Sequence, residues 1–538
     1  MQLNMPEQLA IPGVDTRPGP LRDWLGALPY VDCEKSARLL IERLRDINHQ
    51  RLPAGHRLEL LAAFRHSYGR LHDTLRDNAR QQDLPGQSSA LMLLTELTEA
   101  LAFGYKYALR DALAGRTRWG RNRQPVEAVN YCMHFLALQL LCHYQAYHPV
   151  SDHSWREIGD LVRFAEAQSV PATRDSDLPY AQGELKVLAD YRNLALLRLA
   201  DPYRLPSGQI WEAYGYIAGK SAQIQLLNRD PGDTAAGLPT GVYGVSLDHE
   251  PYQSQPAPAS GVERASWRWI DARELLHTAQ LDLDRVLSGT HPHRVGFSSS
   301  LTGGESVQLL GRLIGQWSHS PERKTPRFNS TQPIDVAPGL AAAYYFLNNG
   351  SAFNPLDYIS PDDEDAIDYS MGLKRLPADP TENFRLVSCP TRNRSSGGLA
   401  LHLEALHALN MRVGELLLLN APGIAPGAGH DWLIGVVRWL IRQEGAGAEL
   451  GIQFVARSAI PAAVRATSGA HQGHGPALKH ELTLPNGQRL AVLITSRGLY
   501  RPKAILELQY ADQVRQIRCG HLLETTSGFD RFSYEVLG

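Results

Sequence analysis

The hydrophobic pattern of this 538-residue chain changes period partway along, and that change restricts the possible folds more than any other feature. Between residues 31 and 230, apolar side chains recur three or four positions apart, as in Ala37, Leu40, Ile41, Leu44 and Ile47. This spacing is typical of amphipathic helices, and clusters of Pro and Gly separate one stretch from the next. Successive helices without strands between them predict an all-α helical domain. The remaining helical stretches are Arg57–Arg80, Ser88–Leu113, Pro125–Tyr147, Trp155–Gln168, Gln182–Ala200 and Gln209–Asn228.

Short apolar and β-branched runs dominate the second half of the chain. Met411–Asn420, Asp431–Arg442 and Glu449–Ala456 follow one another, with Gly- and Pro-containing turns between them. Runs of this kind predict an antiparallel β-barrel. Further along, Pro485-Asn486-Gly487 predicts a tight hairpin turn inside another β-rich stretch.

These patterns predict a multidomain α+β chain, in which the helical domain precedes an antiparallel β-barrel and a C-terminal β module. The region after the helical domain contains two strand-like runs that can pair, Thr240–Asp248 and Ala265–Asp271. The predicted segments are an N-terminal surface arm at 1–30, an all-α helical domain at 31–230, a linker region with short strands and helices at 231–318, a β-barrel with an insertion at 319–465 and a C-terminal β module at 466–538.

Charge, hydropathy and cysteine usage exclude several classes of protein. The formal net charge is −2 and the pI is about 6.9, so there is no general basic excess for binding a nucleic-acid polymer. The apolar runs are too short to span a bilayer, and no basic region followed by an apolar core indicates a signal peptide. The 5 cysteines are scattered without C-x-x-C pairs, which fits a reducing compartment. We therefore expect a cytoplasmic protein without membrane insertion.

Two short motifs in the second half contain the candidate binding residues. The first, Arg323–Arg327, reads R-K-T-P-R and lies in a basic connector that Pro326 keeps extended. The second, Asn393–Gly398, reads N-R-S-S-G-G and opens a predicted strand. Asn393 and Ser395 are two positions apart and are expected to share one strand face. Each motif also has an ordinary interpretation, as a solvated basic connector and as a turn of Asn, Ser and Gly.

In this order the two motifs resemble the signatures of the PilZ domain, a small β-barrel that binds the bacterial second messenger cyclic di-GMP. The phrases G-V-V-R-W and G-I-Q-F after the second motif are similar to those of PilZ barrels as well. The resemblance implies that Arg323 and Arg327 clamp phosphate and guanine, for which the planar, charged guanidinium is suited. It also implies that Asn393, Ser395 and Gly398 form the pocket on the barrel side, where polar groups bond guanine edges.

The spacing of the motifs departs from that of a minimal PilZ domain. Arg327 and Asn393 are separated by more residues than such a domain contains between its two signatures. We interpret the stretch 328–392 as containing an insertion, helical at Gly339–Leu347 and irregular afterwards, where the acidic run Asp362–Asp365 lies. Only the fold can establish whether the two motifs meet.

The order of domains also resembles the FimW group of cyclic di-GMP receptors, which is tied to type IV pili and surface attachment. That resemblance implies a receptor that binds cyclic di-GMP and signals to a protein partner through its helical domain. No catalytic residue, metal or cofactor is assigned, since the sequence contains no G-x-S-x-G elbow, P-loop, zinc motif or dinucleotide fingerprint. The alternative is a protein-interaction scaffold whose PilZ-like barrel no longer binds a ligand.

Overall fold

The protein is described by a computed structural model over residues 3–81, 88–114, 123–229, 231, 238–252, 265–318, 326–358, 384–404, 411–420, 432–443, 445, 447–467, 473–511 and 513–537. The chain divides into two compact units, Met1–Glu322 and Arg323–Gly538. Helices dominate the first unit and strands dominate the second, as the change in hydrophobic period predicts.

The first unit is built mainly from long helices, which confirms the predicted helical domain. In chain order its elements are α1 (Pro18–Gly26), α2 (Cys33–His49), α3 (Ala54–Gln81), α4 (Ser89–Ala114), α5 (Arg123–Gln145), α6 (Asp152–Gln168), β1 (Thr173–Arg174), β2 (Glu184–Leu185), α7 (Val187–Leu199) and α8 (Gln209–Gly219). Helix α2 begins where Asp32 accepts a hydrogen bond from the backbone N–H of Lys35 (3.0 Å), and its predicted apolar face is buried. Helices α4 and α5 are buried on most sides and pack together, with the ring of Tyr105 5.4 Å from that of Phe135. Among the helices that the structure describes, none is long and apolar enough to cross a membrane.

The segment predicted as an N-terminal surface arm, 1–30, contains a helix and buried side chains within its described residues. Helix α1 lies within them, and its Leu21 and Leu25 are buried. The backbone N–H of Asn4 donates to Glu157 (2.8 Å), while the carbonyl of Asn4 accepts from Lys106 (3.1 Å). The Lys106 and Glu157 side chains are each 4% exposed and pair with each other, so the Asn4 backbone completes a buried ion pair. Because these contacts join residues far apart in the sequence, local patterns did not indicate them.

The region after α8 belongs to the first unit and is not a linker between domains. It contains β3 (Gln225–Leu227), β4 (Val242–Ser246), β5 (Trp267–Asp271), α9 (Arg273–Leu287) and α10 (Gly303–Ser318). The predicted pairing of two strands is confirmed by β4 and β5, which are antiparallel. Helix α8 ends at Gly219, earlier than predicted, because β3 then pairs with β5. Trp317 of α10 is fully buried and donates from its indole N–H to the carbonyl of Leu196 on α7 (3.4 Å).

The second unit begins with the predicted antiparallel barrel. Its strands are β6 (Phe328–Asn329), β7 (Pro333–Pro338), β8 (Val387–Ser395), β9 (Gly398–Leu403), β10 (Leu416–Asn420), β11 (Trp432–Arg442) and β12 (Ala448–Ala456). β6 and β7 pair one after the other with the same edge of β8. From β7 the sheet continues through β10, β11 and β12 to β9. β9 then pairs with the other edge of β8, which closes the barrel.

The stretch interpreted as an insertion supplies part of this barrel. β7 lies between β8 and β10 in the sheet, with Ala337 opposite Leu418, so it is a strand of the wall. The helix predicted at Gly339–Leu347 is confirmed as α11 (Leu340–Leu347). The acidic run Asp362–Asp365 lies outside the described residues. The long separation of the two motifs therefore includes elements that the barrel requires.

A second barrel follows and confirms the predicted C-terminal β module. Its strands are β13 (Ile460–Ala466), β14 (Gly475–Thr483), β15 (Arg489–Ser496), β16 (Ile505–Tyr510), β17 (Gln513–Thr525) and β18 (Phe529–Val536). They close in the order β13, β14, β15, β18, β17 and β16. The predicted hairpin at Pro485-Asn486-Gly487 joins β14 to β15. Because β13 pairs with β14 and β16, this barrel starts before residue 466, where the sequence placed the boundary.

The two barrels of the second unit share one apolar core. Leu418 and Val436 of the first barrel lie in the same buried cluster as Leu478, Ile494 and Phe529 of the second. Helix α11 contributes to this cluster as well. Burying apolar surface is worth about 25 cal/mol per Å², so each barrel stabilises the other through this contact.

Candidate ligand-binding site

The second motif forms the tip of the β8–β9 hairpin. β8 ends at Ser395, β9 begins at Gly398, and these two residues pair directly, so Ser396-Gly397 is a two-residue turn. The Ser395 hydroxyl donates to the carbonyl of Gly398 (3.2 Å) and thereby helps to fix the turn. Asn393 lies two residues before Ser395 on the same strand, so the expected common face of these polar side chains is present.

The first motif reaches this hairpin through β6. In the pairing of β6 with β8, Asn329 lies opposite Asn393. Arg327 is exposed and directly precedes β6, whose first residue, Phe328, lies opposite Arg394, the residue between Asn393 and Ser395. The fold thus brings the end of the first motif beside the second, although they are far apart in the sequence. Arg323 lies outside the described residues.

The two glycines of the second motif have different surroundings. A Cβ atom at Gly398 would overlap the carbonyl oxygen of Ile452 on β12. At Gly397 no described atom beyond the chain neighbours lies within 4 Å of the position that a Cβ would take. The backbone N–H of Phe454 donates to the carbonyl of Gly397 (2.9 Å), which joins the turn to β12. Close packing of β9 on β12 by itself explains a glycine at 398, whereas open space lies beside Gly397.

Small residues continue across the outer wall of the barrel from the second motif. Asn393 lies opposite Ala400, Ala400 opposite Gly451, and Gly451 opposite Trp439. The indole of Trp439 occupies the space above Gly451 where a side chain would otherwise stand. This row therefore has an amide at one end and an aromatic ring at the other, with little side-chain bulk between them.

Two arginines on either side of Asn393 were not among the predicted site residues. The pairing of β8 with β9 shifts between Thr391 and Asn393, so Arg392 is the extra residue of a β-bulge. Its side chain is 59% exposed and forms an ion pair with Glu449 of β12. Arg394 follows on the same strand and is half-buried. Arg394 lies opposite Leu399, on the other face of the strand from Asn393. The signal in the sequence was therefore the adjacency of Arg392 to Asn393, since a guanidinium beside an amide suits an anionic ligand.

The polar groups on this wall suit non-covalent binding. Hydrogen-bond donors and positive charge come from Arg327, Arg392 and Asn393, while the Ser395 hydroxyl, which donates to Gly398, can still accept. Cys389 of β8 is buried, and this burial raises the pKa of its thiol to about 11, so the group is a protonated packing residue at neutral pH. Within the described ranges, no group of His, Cys, Asp and Glu side chains is placed to hold a metal ion. An anionic ligand rich in hydrogen-bond acceptors fits these groups.

Comparison with known proteins gives matches along the whole chain. Three family models match it: "Cyclic-di-GMP receptor FimW, N-terminal domain" at residues 19–231, "Cyclic-di-GMP receptor FimW, middle PilZ domain" at 360–461, and "FimW C-terminal beta-barrel domain" at 476–537. The chain is also similar to the protein named Cyclic-di-GMP receptor FimW from Pseudomonas aeruginosa strain PAO1, at 22% identity over 99% of this chain and 93% of that protein. The middle model includes Asn393, Ser395 and Gly398, whereas Arg323 and Arg327 precede its first matched residue. The resemblance seen in the sequence is thereby confirmed.

Proposed function

Because the chain belongs to the FimW family of cyclic di-GMP receptors, we propose that it binds cyclic di-GMP on the outer wall of the first barrel, at the tip of the β8–β9 hairpin. The observation that carries this proposal is the pairing of β6 with β8. That pairing sets the strand that follows Arg327 along the part of β8 that contains Asn393, which supports a site assembled from both motifs.

Each proposed site residue matches one part of the ligand. Cyclic di-GMP has two phosphate anions and two guanine rings. Arg323 and Arg327 bind phosphate oxygens and stack on guanine, because a guanidinium is charged, planar and rich in donors. Asn393 and Ser395 supply neutral hydrogen bonds to guanine edges. Gly398 keeps the hairpin close to β12, so that the polar side chains stay in register with the neighbouring strand.

In this proposal the protein is a receptor that leaves its ligand unchanged. The family it belongs to is a receptor family, and the groups on the barrel wall suit binding. The bound state is passed to a protein partner through the helical unit, in the cytoplasm, with type IV pilus function or surface attachment as the output. The alternative is a protein-interaction scaffold of the same fold whose barrel does not bind the ligand.

Calorimetric titration of the purified chain with cyclic di-GMP separates these alternatives. We expect saturable heat and recovery of the intact dinucleotide by chromatography. Arg327→Ala should weaken binding at least tenfold, about 1.4 kcal/mol, because it removes a charge-assisted contact. Arg489→Ala is the matched control, since that side chain is 76% exposed on β15 of the second barrel, and it should leave affinity unchanged. No heat at high micromolar ligand would favour the scaffold, and turnover of the ligand would contradict a pure receptor.

A further inference from the structure

Gln453 lies on the strand next to the hairpin tip, outside both motifs. Gly398 is opposite Gln453 on β12 and opposite Ser395 on β8. The adjacent residues Leu399 and Ile452 are each 4% exposed and face the barrel interior, so Ser395 and Gln453 face outward by strand alternation. Neighbouring strands are about 4.8 Å apart, which places the backbones of these two polar residues roughly 10 Å from each other across a glycine. A ligand that contacts the Ser395 side of the hairpin is therefore within reach of Gln453.

The orientation of the Gln453 amide is fixed by Arg438 on β11. The Nε–H of Arg438 donates to Gln453 Oε1 (2.7 Å). A guanidinium has donors and no acceptor, so the amide oxygen must be the end that faces it. The amide NH₂ group is left pointing away, and within the described ranges it has no protein acceptor. The wall next to the hairpin thus presents an exposed side chain with two unused donors in a set orientation.

Arg438 is in turn held by the second barrel. Its guanidinium forms a two-point ion pair with Glu524 of β17, in which Nη2 lies 3.1 Å from Oε2. The Arg438 side chain is 28% exposed and that of Glu524 is 11% exposed, so the pair is better shielded from solvent than an ordinary surface ion pair. Glu524 of the second barrel therefore fixes the position of Arg438. Arg438 in turn fixes the orientation of the Gln453 amide on the first barrel.

We propose that the Gln453 NH₂ group donates to the O6/N7 edge of a guanine of bound cyclic di-GMP, with Arg438 and Glu524 as positioning residues. This inference rests on the proposed function and adds a specificity contact to the same site. Guanine presents two neighbouring acceptors on that edge, where adenine presents a donor beside an acceptor. An NH₂ group that cannot rotate to present its oxygen favours guanine over adenine. The second barrel thereby takes part in recognising the base.

The substitution Gln453→Glu tests the contact. Glutamate has the same shape and still accepts from Arg438, but it presents an acceptor and a negative charge where the NH₂ group stood. We expect cyclic di-GMP to bind the full-length variant at least tenfold more weakly, with an unchanged melting temperature. Gln516→Glu makes the same change of charge at an exposed position of β17, and its affinity for cyclic di-GMP should stay within twofold of that of the wild type. If the wild type and Gln453→Glu bind cyclic di-GMP equally well, the role of Gln453 is wrong but the proposed function stands. If the wild type does not bind cyclic di-GMP, the proposed function itself is wrong.

Competition with cyclic di-AMP tests whether the site recognises guanine, because cyclic di-AMP has the same two phosphates but carries adenine. Weak or absent competition by cyclic di-AMP against the wild-type chain agrees with a guanine-reading site. An equal loss of cyclic di-AMP and cyclic di-GMP affinity in Gln453→Glu would place the amide against phosphate and overturn the assignment to guanine.

A double-mutant cycle tests the positioning role of Glu524. We expect Glu524→Gln to weaken cyclic di-GMP binding two- to fivefold in the wild-type background and to have no effect once Gln453→Ala is present. A structural effect on the barrel would weaken binding equally in both backgrounds. That result would overturn the positioning role.

Discussion

At the scale of single residues, Gly397 and Gly398 are adjacent in one motif but have different surroundings. Gly398 lies where β9 and β12 approach most closely, and a methyl group there would meet the Ile452 carbonyl. Gly397 has open space beside it within the described structure, although its carbonyl accepts from Phe454. A sequence motif alone does not separate these two requirements, since both are met by the same residue type.

The pair allows a matched test of strand packing. We expect Gly398→Ala to lower the free energy of unfolding by about 1–3 kcal/mol, the usual cost of forcing extra volume into a packed site. Gly397→Ala should change it by less than about 0.5 kcal/mol, since the new methyl group meets nothing. Urea unfolding of both variants measures the difference. Equal effects at the two positions would show that the close approach to Ile452 is relieved at no cost.

At the scale of elements, the two barrels are joined by polar contacts as well as by their common core. Arg531 of β18 donates from Nη2 to the carbonyl of Val455 on β12 (3.3 Å) and from Nε to Nε2 of His480 on β14 (3.3 Å). Because arginine can only donate, His480 must accept through an unprotonated Nε2. Burial, followed by the positive charge of Arg531, lowers the pKa of His480 to about 4. The junction therefore requires a neutral imidazole.

This requirement predicts a dependence of stability on pH. The folded-state pKa is depressed below the ordinary value of about 6.5, so the contribution of His480 is complete above pH 6.5 and is lost as the pH falls towards 4. At about 1.4 kcal/mol per pKa unit the loss amounts to roughly 3 kcal/mol at most. His480→Gln retains an acceptor for Arg531 without titrating, and should flatten the stability profile between pH 6.5 and 4.

Urea unfolding at several pH values measures that profile. His521→Gln, which removes an exposed histidine from β17 of the same barrel, controls for the loss of an imidazole. An unchanged slope in His480→Gln would mean that other groups set the acid sensitivity of the second unit.

At the scale of the whole molecule, local patterns and long-range contacts differ in how far the sequence reveals them. The apolar face of α2 and many strands of both barrels, such as β10, β11 and β15, follow from local periodicity and were predicted. β7 was not, because it lies in the stretch that the sequence indicated as an insertion. The contact of Asn4 with the Lys106–Glu157 pair depends on side chains far apart in the chain, so the composition of 1–30 indicated a surface arm but not this contact. Gln453 and Arg438 lie in the phrases G-I-Q-F and G-V-V-R-W, but no local pattern indicates that Arg438 joins Gln453 to a carboxylate of the second barrel.

The division into two units leads to a prediction about fragments. The described site residues and the positioning residues all lie in Arg323–Gly538. That fragment contains both barrels and the apolar core between them, including Leu418 and Val436 against Leu478. It should therefore unfold in one transition and bind cyclic di-GMP within about threefold of the full chain, because every described contact of the site is kept.

A shorter fragment, 323–459, tests whether the first barrel and its site depend on the apolar core shared with the second barrel. Without the second barrel, Leu418 and Val436 lose the apolar partners Leu478 and Ile494, and Arg438 loses its carboxylate. Each fully buried aliphatic side chain returned to water costs about 1.5–3 kcal/mol, so several together exceed the stability of a small domain. We expect this fragment to bind a hydrophobic dye, to give no cooperative unfolding transition and to lose ligand affinity at least tenfold. Cooperative unfolding with full affinity in 323–459 would show that the first barrel is independent, and that the shared core and the Glu524 contact do not support the site.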